Sequence, residues 1–273
     1  MPVYSISYLG FFFYFNLNIT VNDLDWIFFY MPDTYLYLLV DLASFTVPFL
    51  FSFEKKWLHF IGRWKCILAG LLSMFVFFII WDILFTRMGI WGFNDRYISG
   101  IKFKGLPLEE FLFFLMIGFC CLFVYESMNH IMKIKWQESI SRHIFTGIAL
   151  INIVIAMVHY SKWYTVTALG LNGVFILAIL IFVPWFSWNK FLLGYVISFI
   201  PFTIVNGILT GGFTPEPVVW YNDAENLKIR LGTIPIEDSQ YMMLMMTMSI
   251  VVYEWCRRSY STILPKKDGL SFY

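Results

Sequence analysis

Charge is scarce in this chain: of 273 residues, 14% are Asp, Glu, Lys or Arg against 59% hydrophobic, and the mean hydropathy is +0.70. So few charges cannot cover a soluble surface with polar groups, which makes the chain an integral membrane protein. The formal net charge is +1 and no dense basic cluster occurs, so nothing provides the electrostatic footprint of a nucleic-acid partner. Cysteine is equally sparse. The four, at 66, 120, 121 and 256, lie in or beside apolar runs with neither the spacing of a zinc site nor that of a secreted disulfide framework, and they read as small packing residues. Residues 1 to 30 contain no Lys or Arg at all. A secretory signal, which needs a basic start and a small-residue cleavage site, is therefore excluded, and this stretch reads as an extension ahead of a functional unit that begins near residue 31.

What the chain has in abundance is apolar runs. About 20 such residues cross a bilayer, and seven stretches qualify: 34–53, 65–86, 107–129, 141–160, 163–183, 189–209 and 235–256. The fold class is all-α, a membrane protein of about seven transmembrane helices. The last run holds no lysine, which removes a seven-helix retinal receptor with its Schiff base.

A segment occurs twice. Pro107-Leu108-Glu109-Glu110 returns as Pro235-Ile236-Glu237-Asp238 and Tyr125-Glu126 as Tyr253-Glu254, both 128 residues on. Upstream an offset of 124 aligns Trp64 with Trp188, Asp82 with Asn206, Thr86 with Thr210 and Tyr97 with Tyr221. The chain thus divides into an extension (1–30), a first repeat (31–130), a connector helix (131–160), a second repeat (161–258) and a tail (259–273). Three crossings, one connector and three more make the repeats parallel, so both acidic motifs open on one membrane face. Lys and Arg number 12 on the opposite side and 7 on the motif side; the positive-inside rule then places the C-terminus in the cytoplasm.

Ionisable groups at membrane depth are costly and mark function. Each motif proline suits the first position of a helix, so Pro107 and Pro235 read as structural. Glu109, Glu110, Glu237 and Asp238 fall in the first turns, where pairing with Arg96, Lys102 or Lys104 is the plain alternative. The duplication and the aromatic neighbours favour a site: Glu109 shares a face with Phe113, Glu110 with Phe114, and Glu237 and Asp238 both with Tyr241. Asp82, after Trp81, is a third acid, and its counterpart Asn206 makes the halves chemically unequal; a loop-capping role for Asp82 through Thr86 or Tyr97 is its alternative. Trp81, Phe85, Trp91, Phe93, Phe111, Phe113, Phe114, Trp220, Tyr221 and Tyr241 are the rings that would line a cavity able to stabilise a cation. Glu126 lies about 25 Å along the helix from Glu109, so Glu126 and Glu254 belong to the other membrane face, in a structural role with interfacial Tyr and basic residues.

The run from Trp81-Asp82 through Trp91-Gly92-Phe93-Asn94 and Arg96-Tyr97 to Gly105-Leu106-Pro107-Leu108-Glu109-Glu110, with Asn206-Gly207 and Gly232-Thr233-Ile234-Pro235-Ile236-Glu237-Asp238 in the second half, resembles the lycopene cyclase domain, the membrane-embedded carotenoid cyclase type found as two small subunits or as fusions. The likeness covers about residues 33 to 258. Ser239-Gln240 departs from it, standing where aromatic residues are expected. The resemblance implies cyclisation of the end groups of lycopene, giving γ-carotene and β-carotene. Protonation of a terminal double bond starts the reaction, an internal double bond attacks the cation, and a proton leaves without redox change.

On that reading Glu109 and Glu237 face a cavity between the halves and donate, Glu110 and Asp238 tune or accept, and Asp82 is accessory. Unrelated cyclases resemble flavoproteins with a dinucleotide fold; this chain has no such glycine fingerprint and no soluble domain, so neither flavin nor metal is expected. The expected partners are lycopene and other linear carotenoids, the lipid bilayer, and a further copy or other carotenoid enzymes. The location expected is a bacterial cytoplasmic membrane. The rival readings are a membrane transporter, against which the strongly apolar spans argue, and a non-catalytic carotenoid-binding subunit.

Overall fold

A computed structural model describes residues 33–56, 58–132 and 136–263. The N-terminal extension, residues 264–273 of the tail, and Lys133 and Lys135 of the charge count lie outside the described residues. Seven long helices carry the fold: α1 (Leu36–Ser52), α2 (Trp64–Met88), α3 (Leu108–Ile131), α4 (Glu138–Val158), α5 (Trp163–Phe182), α6 (Trp188–Leu209) and α7 (Glu237–Ile263). They follow the seven apolar runs to within a few residues, except that α7 continues well past 256. Among the described residues, six helices are long and apolar enough to cross a membrane. The seventh, α7, is charged at both ends, by Glu237 and Asp238 at one and by Glu254, Arg257 and Arg258 at the other. Its uncharged middle has protein for a solvent: Met242 to Met246, Ile250 and Tyr253 are all buried.

The two halves interlock. Within each repeat the first helix packs on the third, α1 on α3 and α5 on α7, but α2 packs on α7 and α3 on α6, so each half's second helix lies against the other half's third. Glycine makes both crossings close. A Cβ at Gly70 of α2 would stand 2.7 Å from the carbonyl oxygen of Ser249 and 3.2 Å from Tyr253 Cβ, and one at Gly194 of α6 would stand 3.0 Å from Tyr125 Cδ2. Gly70 and Gly194 are themselves repeat partners, 124 residues apart, as Tyr125 and Tyr253 are at 128. Because the obstacle at Gly70 is backbone, Gly70→Ala must push α2 off α7; we expect a loss of about 1–3 kcal/mol, read as a lowered unfolding midpoint in detergent.

Short strands close one end. β1 (Trp91–Phe93) and β4 (Val219–Tyr221) pair antiparallel across the halves in the register Trp91 with Tyr221, Gly92 with Trp220 and Phe93 with Val219. Hairpins β2–β3 (Lys102–Phe103, Leu106–Pro107) and β5–β6 (Arg230–Leu231, Ile234–Pro235) precede α3 and α7. The loops repeat at an offset of 128: Leu108 N donates to Ile101 O at 2.9 Å and Ile236 N to Ile229 O at 2.9 Å. This corrects the pairing of Tyr97 with Tyr221. The 128 offset begins before β1, the loop counterpart of Tyr97 is Glu225, and the four inserted residues fall between Leu209 and Val219. Gly92 leaves room for the Trp220 indole, which would meet a Cβ there at 2.3 Å.

One cysteine expectation is also corrected. Cys66 and Cys256 form a disulfide with Cα atoms 5.4 Å apart, tying the start of α2 to the end of α7, while Cys120 and Cys121 are free. Spacing could not show this, because 190 residues separate two cysteines that helix interlocking brings together.

Candidate active site

Each motif folds the same way. Its proline ends a two-residue strand, and Pro107 is extended (φ −68°, ψ 152°) with the helix beginning at Leu108, one residue later than a proline-first helix. Pro235 likewise closes β6, ahead of Glu237. The first acid of each pair then turns back to its own loop. Glu109 Oε1 accepts from Ser99 N at 2.7 Å and Glu237 Oε1 from Leu227 N at 2.7 Å, with Thr165 Oγ1 adding a second donor to Glu237 at 2.7 Å. Both are sealed, at 1% and 0% exposure. The expectation that Glu109 and Glu237 face the cavity is therefore corrected: a buried loop amide needs an acceptor, and the first acid of each pair supplies it.

The second acids point the other way. Glu110 and Asp238 line one cleft between the halves, of about 590 Å³ with its open mouth included, together with Asp82, Asn206, Trp91, Phe93, Phe113, Tyr221 and Tyr241. Each second acid takes a hydrogen bond from the tyrosine in the first turn of its half's first helix, Tyr37 to Glu110 and Tyr164 to Asp238, and each meets the paired position on the second helix. There the halves differ. Asp238 Oδ2 accepts from Asn206 Nδ2 at 3.1 Å and from Tyr221 OH at 3.0 Å. Glu110 instead has Asp82 within hydrogen-bond reach, on the cleft wall that Trp91 also lines. Burial, reinforced by Asp238, holds the Tyr221 phenol above its ordinary range, so Tyr221 stands as a neutral donor. Asp238 thus faces three donors and Glu110 faces another carboxyl group, and two carboxyl groups can hydrogen-bond only by sharing a proton.

Behind the lining rings stands a second layer. Trp81 packs on Tyr241 at 5.0 Å between centroids and Phe85 on Trp91 at 4.9 Å, while Phe114 is fully buried against Phe78 and Tyr241. These three support the wall without reaching the cleft. Phe111 packs away from it, on Phe75 and Phe103, and Trp220 is 41% exposed over Gly92. Ser239 and Gln240 do not touch the cleft: Gln240 Oε1 accepts from Asn152 at 2.8 Å and Asn172 at 3.0 Å, on the connector side, so the departure from aromatic residues leaves the lining intact. Glu126 and Glu254 lie at the far end, where Tyr253 OH donates to Glu126 at 2.9 Å and Tyr125 OH to Glu254 at 3.0 Å.

Sequence reasoning missed Tyr37 and Tyr164, which repeat at an offset of 127, and the lining residues Phe202, Met242 and Met245. It also missed Asp41. This residue is fully buried in α1, neither of its carboxyl oxygens has a partner, and Glu110 and Glu109 act on it electrostatically. An acid in the middle of an apolar span was the available signal.

No curated protein and no solved structure matches the chain. The profile of one protein family, described as lycopene cyclase, matches residues 34–128 and again 161–256. Each match takes in one three-helix repeat with its acid pair and leaves out the connector α4. With two aromatic-walled halves meeting at one acidic cleft, and with both halves matched, the chain belongs to the lycopene cyclase family.

Proposed function

We propose that the chain is a lycopene β-cyclase, converting linear end groups to rings and giving γ-carotene and then β-carotene. The observation that carries this reading is the convergence of Glu110, with Asp82 beside it, and Asp238 on a single cleft walled by aromatic rings. Membership of a carotenoid cyclase family supplies the substrate class. The pattern of partners distributes the roles. Glu110 faces a second carboxyl group and gives its proton to the terminal double bond of lycopene, a general-acid step of the kind worth about 10²–10⁴-fold. The electron pair of the neighbouring internal double bond closes the ring on the tertiary cation, and the π faces of Trp91, Phe93, Phe113 and Tyr241 stabilise the charge as it moves. Asp238, held by three donors, takes the departing proton. One proton enters, one leaves, no atom is gained and no electron is exchanged.

Glu109 and Glu237 act here as positioning residues that set the loops, and Asp82 shares the Glu110 proton. The substrate enters from the lipid, so its hydrocarbon chain is never solvated by water. The excess of Lys and Arg in the sequence segments of the opposite side supports a cleft at the outer face with the C-terminus in the cytoplasm. Expression in lycopene-accumulating bacteria followed by pigment chromatography is the test. Cyclic carotenoids are expected, and unchanged lycopene at a normal protein level would make the chain a binder instead of an enzyme.

A further inference from the structure

At the end of the bundle away from the cleft, the halves repeat a second pattern and break it once. Glu126 is closed by Arg63 Nη1 at 3.0 Å, by Arg257 and by Tyr253 OH at 2.9 Å. Its counterpart Glu254 takes Tyr125 OH at 3.0 Å, with Arg257 Nε at 3.8 Å. Arg63 stands at the position just before α2; the residue just before α6, 124 positions on, is Ser187. Its short side chain donates to Glu138 Oε2 at 3.1 Å. The position whose guanidinium covers Glu126 in the first half therefore leaves Glu254 beside a pocket of about 220 Å³ with its open mouth included, which Ser187, Lys190, Arg258 and Trp185 also line. Arg258 lies over the Trp185 ring at 4.8 Å and donates to its carbonyl at 3.1 Å.

A carboxylate, an ammonium and a guanidinium line this one pocket, where α6 begins and near the end of α7. A ligand matching it has an amine for Glu254 and an anionic group for Lys190 and Arg258, charge-assisted pairs that are stronger than neutral hydrogen bonds. We propose that the pocket holds the head group of a phosphatidylethanolamine-type lipid, with its ammonium on Glu254 in the place of the Arg63 guanidinium and its phosphate between Lys190 and Arg258. The surrounding bilayer supplies such a ligand at the level of the pocket, and Trp185 is the kind of side chain that settles at head-group depth. A choline head group has no N–H to give Glu254, and a glycerol head group has no cation.

The test is native mass spectrometry of the full chain in detergent, with phosphatidylethanolamine, phosphatidylcholine and phosphatidylglycerol supplied in equal amounts. Phosphatidylethanolamine is expected to be retained about tenfold over the other two, the ratio given by one charge-assisted contact. Ser187→Arg, which places the first half's guanidinium in the slot, and Glu254→Gln, which keeps an acceptor for Tyr125, should each bring the ratio close to unity. If Ser187→Arg is not produced, Glu254→Gln decides alone. Soluble phosphoethanolamine in excess should leave the lipid bound. Equal retention of the three lipids, a preference that survives Glu254→Gln, or displacement by the soluble head group would each overturn the assignment.

Discussion

Glu110→Gln should lower the rate of cyclic product by about 10²–10⁴-fold, while Glu109→Gln, its neighbour in sequence, should cost less than about tenfold. The contrast follows from where the two side chains point. Glu110 lines the cleft with Asp82 beside it, and glutamine in its place can still accept from Tyr37 but has no carboxyl proton to give. Glu109 Oε1 caps Ser99 N. Glutamine offers the same acceptor without the charge, so the change falls on the loop before α3 and amounts to about 1 kcal/mol of stability. Pigment chromatography at matched protein level reads the first effect and thermal unfolding in detergent the second. Should Glu109→Gln be the silent variant in stability and the severe one in turnover, the donor has been placed on the wrong acid of the pair.

The same pair shows what the sequence could and could not reveal. Helix existence was legible, because a run of about 20 apolar residues has one physical solution in a bilayer, and the duplication was legible as identity at a fixed offset. Which of two adjacent acids enters the cleft was not. Consecutive residues on a helix point about 100° apart, so the choice depends on the rotation of α3, and that is set by contacts such as the Gly194 crossing with Tyr125, which only the folded chain displays. Interlocking hid the Cys66–Cys256 disulfide for the same reason. Tyr37 and Tyr164 were hidden differently: among the many aromatics of the chain a tyrosine at a helix start is unremarked until it is seen donating to an acid. Asp41 is legible as an acid inside an apolar run, but the duplication does not mark it, because its counterpart 127 positions on is Ala168.

Asp82→Asn should lower cyclisation by about 10²-fold, and adding Asn206→Asp should restore part of that loss. In the native cleft the second helix of each half presents a different group to the second acid, Asp82 to Glu110 and Asn206 to Asp238. An asparagine at 82 surrounds Glu110 with donors alone and so copies the second half, which leaves two acceptors and no shared proton. An aspartate at 206 alone places a carboxyl group beside Asp238, which then has a proton to share where it should receive one, and ring formation falls again. Together the two changes exchange the halves: the shared proton sits on Asp238 and the donor-held carboxyl on Glu110, in a cleft whose walls repeat. Recovery stops short of the native rate, because the counterpart of Tyr221 at the 128 offset is Phe93 and Glu110 lacks that third donor. In a double-mutant cycle the pair should exceed Asp82→Asn by about tenfold, about 1.4 kcal/mol, so the coupling is that figure plus the loss that Asn206→Asp causes alone. Losses that simply multiply would mean that the two acids work in separate places, and the single shared cleft would have to be given up.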